Sequence, residues 1–114
     1  MAVLVRVKPS GSPDVVSYQI YSKPHIENET ITKENAAITI TVPVDQWQDR
    51  GDGYIYCRLD NRDEFSGLDG YYDFAVAAVD DAGNVSPLLT QGLSNVGVDL
   101  LAPNPPTEAS IIFE

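Results

Sequence analysis

Along AVLVRVKP, Val3, Val5 and Val7 alternate with Leu4, Arg6 and Lys8, a two-residue period that turns one strand face inward until Pro9 ends the ladder. The same period returns in DVVSYQIYS, where Val16, Tyr18 and Ile20 oppose Ser17, Gln19 and Tyr21. It returns again in AITITVP (Ile38, Ile40, Val42) and in GYIYCRLD, whose Ile55, Cys57 and Leu59 oppose Tyr54, Tyr56 and Arg58. The longest strand predicted is YYDFAVAAVD, with Tyr72, Phe74, Val76 and Ala78 on one face. A last one falls within LTQGLSNVGVDL, its glycines hinting at a bulge. The stretches between them are rich in Gly, Pro, Asn and Asp and read as turns, while residues 23–36 read as a long loop or a weak edge strand. The first two strands, joined by a short loop, are expected to be neighbours. Six or seven short strands at roughly 8 to 12 residue spacing predict an all-β, antiparallel two-sheet β-sandwich over 1–101.

The alternation resumes beyond this core. LLAPNPP reads as a Pro-rich linker, and Ala109, Ile111 and Phe113 then alternate with Ser110, Ile112 and Glu114. Residues 102–114 are therefore expected to be a linker plus a terminal strand, packed on the same domain or donated to a neighbour.

Composition narrows the function. The formal charge is -10, from 17 acidic and 7 basic residues, so nucleic acid is not an expected partner. No run approaches membrane-spanning length. Cys57 is the one cysteine and is expected inside as a small unreactive hydrophobe. His25, the one histidine, lies in a polar loop and reads as an exposed spectator, with no Ser or Cys placed for nucleophilic attack. Carboxylate pairs abound, but glycoside hydrolysis needs a cleft that a small sandwich rarely forms, so no enzyme is expected.

GLDGYYDFAVAAVDDAGNVSP resembles the end of a fibronectin type III-like or bacterial Ig-like domain of secreted and surface proteins. Leu68, Gly70, Tyr72, Phe74, Val76, Asp80, Gly83, Asn84 and Ser86 fill the pattern, and SPDVVSYQIY resembles an earlier strand of the family. The resemblance implies a structural corner at Leu68, Gly70 and Tyr72, where a tyrosine hydroxyl bonds nearby backbone. It also implies an extracellular or cell-surface setting, with the export signal absent from this chain. The sequence departs from the family in lacking a buried Trp on the preceding strand and in a long 44–66 segment, which holds Trp47. In these terms the chain begins at a second strand, and its terminal strand stands in for the missing first one.

The expected role is a non-catalytic structural or protein-binding module of a surface assembly, in its sharpest form a pilus-like filament subunit that self-associates or binds a protein through a sheet edge. Trp47, Tyr21, Tyr54, Tyr56 and Tyr71 are the expected contact aromatics, with Ile111 and Phe113 of the tail. The rival is a carbohydrate-binding or accessory spacer module of a larger secreted enzyme, using the same rings to stack on sugars. No cofactor is expected. Asp49, Asp52, Asp60 and Asp63 offer oxygen ligands for at most a weak Ca²⁺ site, without EF-hand spacing. Arg50-Gly51-Asp52 matches an adhesion tripeptide but reads as turn chemistry.

Overall fold

The computed structural model describes residues 2–101 and 105–114. Among the described residues seven strands form: β1 (Leu4–Val7), β2 (Val15–Pro24), β3 (Ile38–Pro43), β4 (Gln48–Asp49), β5 (Ile55–Arg58), β6 (Asp69–Asp80) and β7 (Val96–Asp99). They make two antiparallel sheets, one of order β1-β5-β4 and one of order β3-β2-β6-β7. The apolar faces read from the two-residue period meet between them. Val5 and Val7 from β1 and Cys57 from β5 face Tyr18, Ile20, Ile40, Val42, Phe74 and Val76 of the larger sheet. A short 3-10 turn at Asp63–Phe65 drops Phe65 into this layer with no exposed surface. Burying a side chain of that kind is worth about 1.5–3 kcal/mol.

Three details depart from the sequence reading. β1 and β2 are not neighbours: β1 pairs with β5, placing Val5 opposite Cys57, and the 8–14 loop crosses from one sheet to the other. Local alternation cannot tell a hairpin from a crossing between sheets, because both keep the same face inward. Secondly, Val16 is exposed while Val15 packs on the core, since the β2–β6 register slips between Val15 and Ser17 and a β-bulge absorbs the extra residue. Thirdly, residues 25–37 form the long loop expected, but one that packs back on the body. It lays Ile31 on the outer face of the larger sheet against Tyr21, Ala75 and Ala77, making a second small core.

Of the linker expected from 102 onward, residues 102–104 lie outside the described residues. Residues 105–114 form no strand and are exposed, Ile111 by 84% and Phe113 by 93%.

Candidate interaction edge and aromatic face

β1 is an edge strand. Val3 faces its partner, its carbonyl accepting from Leu59 N–H at 2.7 Å and its own N–H donating to Asp60 Oδ1 at 2.9 Å. Backbone groups alternate sides along a strand, so Val5 and Val7 also point their N–H and C=O toward β5, and those of Leu4 and Arg6 point outward. β7 is likewise the last strand of its own sheet. Where these two edges face each other the sandwich stays open, as a groove of about 410 Å³ lined by Val3, Val5, Leu59, Phe74, Leu93 and Val98. A separate, smaller hollow of about 160 Å³ lies beside Val7, lined by Tyr18 and Ala78.

On the β7 side of the groove, pairing with β6 is interrupted. Leu89 bridges Val76 and Leu93 carbonyl accepts from Phe74 N–H, but regular pairing begins only at Val96, after Asn95 takes a φ of 55°. In place of the bulge expected from the glycines, a turn separates the Leu89 bridge from β7.

On its outer face the smaller sheet carries a block of cations and phenols. The Arg6 guanidinium lies 4.4 Å from the Tyr54 ring centre, Lys8 Nζ lies 5.7 Å from it, and Arg50 lies 4.2 Å from the Tyr56 ring. The Tyr56 hydroxyl donates to Asp52, which foremost holds that carboxyl below its ordinary range, and the Tyr54 N–H adds to it. With Arg58, four of the seven basic residues of an acidic chain share this face.

No family model, curated protein or solved structure matches the chain.

Two of the expected contact aromatics, Trp47 and Tyr21, are buried. Trp47 is buried, not displayed: a 3-10 turn at Val44–Gln46 delivers its ring into the core 5.3 Å from Tyr18, and its indole N–H donates to Val42 carbonyl. Tyr21 lies under Ile31 at 4% exposure. Tyr54 and Tyr56 are half-buried by their cation partners, and Tyr71 is open to solvent. Single-strand alternation puts Tyr21 on the outer face correctly, but the loop that covers that face carries only Ile31 as a cue.

Tyr72 packs its ring on the core while its hydroxyl donates to Asp69 carbonyl and accepts from Asp69 N–H, at 3.4 and 3.3 Å. Gly70 between them holds φ 125°, a backbone closed to residues with a Cβ, and Leu68 packs beside them.

The four candidate calcium carboxylates do not gather. Asp49 accepts from Gly51 N–H, Asp52 is engaged as above, Asp60 chelates Arg58 from both oxygens, and Asp63 opens a 3-10 turn. The Arg58 pair, with the Val3 N–H, pushes the Asp60 carboxyl far below its ordinary range. Among the described residues no three His, Cys, Asp or Glu side chains are placed to hold a metal ion. Arg50-Gly51-Asp52 is consumed by the β4–β5 turn, its two charged ends held by Tyr56.

His25 is no spectator. Its Nδ1 lies 2.8 Å from Asp73 Oδ1, and Asp73, itself buried, also accepts from Asn95 N–H and pairs with Lys23 at 3.4 Å. Burial pushes the Asp73 carboxyl up, but the Asn95 amide and the His25 and Lys23 side chains outweigh it, and the net displacement is downward. The Asp73 bond raises His25. The cluster ties the start of the 25–37 loop to β6 and to the approach to β7. Cys57 is buried, and that burial drives its thiol upward, away from reactivity. Among the described residues no helix is long and apolar enough to cross a membrane.

Proposed function

We propose that this chain is a non-catalytic structural and protein-binding module of an extracellular or cell-surface assembly, in its sharpest form a pilus-like filament subunit. The observation that carries the reading is the open β1 edge, flanked by an apolar groove on one side and the Arg6, Tyr54, Tyr56 and Arg50 face on the other. Backbone pairing at such an edge supplies affinity, and side-chain pockets supply register. The fibronectin type III-like resemblance favours the same role, since the position beside β1 is the one the family fills with its first strand. A catalytic role has less support, because His25 and Cys57 are committed to an ion cluster and to the core. The carbohydrate reading loses its best platform with Trp47 buried.

Light scattering after gel filtration tests the proposal. Mass that grows with concentration is expected. A chain that stays monomeric at high concentration and is retarded in gels containing soluble polysaccharide would replace the assembly reading with carbohydrate binding.

A further inference from the structure

We infer that the β1 edge and its groove are completed by residues 107–114 of a second copy of this chain, added as a strand antiparallel to β1. This deepens the proposed assembly role and rests on it.

Three observations converge on that occupant. The first is shape. In an antiparallel register that sets Ile111 beside Val5, Phe113 falls beside Val3 in the groove of about 410 Å³, and the small Ala109 falls beside Val7, where the separate hollow is only about 160 Å³. The parallel arrangement would put Phe113 beside the smaller hollow at Val7. Charge is the second: on the outward face the same register sets Glu108 beside Lys8 and Ser110 beside Arg6, while Ile112 covers the half-exposed Leu4. The third is supply and demand. Leu4 and Arg6 direct four backbone hydrogen-bonding groups outward, and Ile111, Ile112 and Phe113 stand 84, 73 and 93% exposed. An alternating apolar segment in water is an unspent strand.

Reach favours a second copy over the chain's own body. The body ends at Leu100, held by bonds with Gly67 and Leu68 at the start of β6, which is the Val3 end of the groove. An antiparallel strand must enter from the other end, beside Lys8. Returning there takes about 17 Å at 3.4 Å per residue, against about 25 Å for the eight steps from Leu100 to Glu108 at 3.1 Å each, which leaves about 8 Å for two reversals of direction. A neighbour's tail meets no such limit. Each copy then offers one donor strand and one acceptor edge, a head-to-tail contact that propagates.

The test uses the full chain. Ile111→Asp/Phe113→Asp alters only exposed side chains, so the body stays folded, and the growth of mass with concentration is expected to vanish. Leu4→Cys and Ile112→Cys chains, mixed and oxidised, are expected to cross-link between chains, and Leu4→Cys with Ser110→Cys several-fold less, being two residues out of register. Self-association that persists in the aspartate variant overturns this inference while the assembly reading stands. A monomer in which a Leu4→Cys/Ile112→Cys chain cross-links within itself at every dilution also overturns it, in favour of closure. A wild-type chain whose mass does not grow, together with Leu4→Cys and Ile112→Cys chains that do not cross-link, overturns both.

Discussion

Trp47→Ala separates a core residue from a contact residue. The indole fills the layer beside Tyr18 and Val42 at 7% exposure, so its removal leaves a cavity that a 3-10 turn cannot collapse into without dragging β4 along. Buried Trp-to-Ala changes cost about 3–5 kcal/mol, and the lost edge-to-face contact with Tyr18 lies within that sum. Against a total stability of about 5–15 kcal/mol this is a large fraction. With a urea slope of about 1.5 kcal/mol/M, a loss of about 4 kcal/mol moves the midpoint down by roughly 2.5 M, read by far-ultraviolet circular dichroism. Trp47→Phe keeps most of the volume but strands the Val42 carbonyl's indole partner bond, and about 1–2 kcal/mol is expected. As the single tryptophan, Trp47 also reports its own site: native emission should be blue-shifted and poorly quenched by acrylamide. A Trp47→Ala loss below about 1 kcal/mol, or emission already red-shifted before unfolding, would refute the placement.

Two further substitutions read the fold elsewhere. Tyr72→Phe keeps the packed ring and deletes both hydroxyl bonds to Asp69, so about 0.5–1.5 kcal/mol of stability should be lost in urea, whereas no loss would remove the corner's role. His25→Asn tests the ion cluster by pH. His25 is raised above 6.5, so its contribution is full below that value and fades as pH rises through the folded value; Asp73 is lowered below 3.8, so its contribution fades only as pH falls through that lower value. Thermal stability should be greatest between these limits, and in His25→Asn the alkaline decline should flatten; an unchanged decline would place its cause elsewhere.

What could be read from the sequence follows from which interactions are local. Alternation is local, and it correctly turned Val5, Ile20, Ile40, Val42, Cys57, Phe74 and Val76 inward. Pairing partners are not local: nothing in AVLVRVKP says that Val5 will meet Cys57, fifty-two residues on, in place of the strand that follows it. Loops covering a sheet are equally invisible, because one buried Ile31 in a polar run carries too little period to register, yet it buries Tyr21. Trp47 shows the same limit. In a segment dense with Gly and Asp it reads as surface, and only the 3-10 turn after Pro43 aims it inward. The cation and phenol face was half legible, since Tyr54, Tyr56 and Arg58 were placed outward but the approach of Arg6 and Arg50 needed the sheet order.

The four sheet edges show how the fold treats exposed backbone. β4 is two residues long, β3 ends in Pro43, and β7 is four residues with Gly97 and Asp99, each a feature that discourages a further strand. β1 is guarded differently, by Arg6 and Lys8 on its outward face. Cations repel most strands that carry their own sign, but they do not repel an acidic one, and this chain is acidic almost everywhere else. A guard of this kind excludes and admits by charge, so Arg6→Glu/Lys8→Glu should leave the body folded while weakening self-association and its salt dependence together. Association that survived this reversal at low salt would mean that the edge is blocked by its cations and not selected by them.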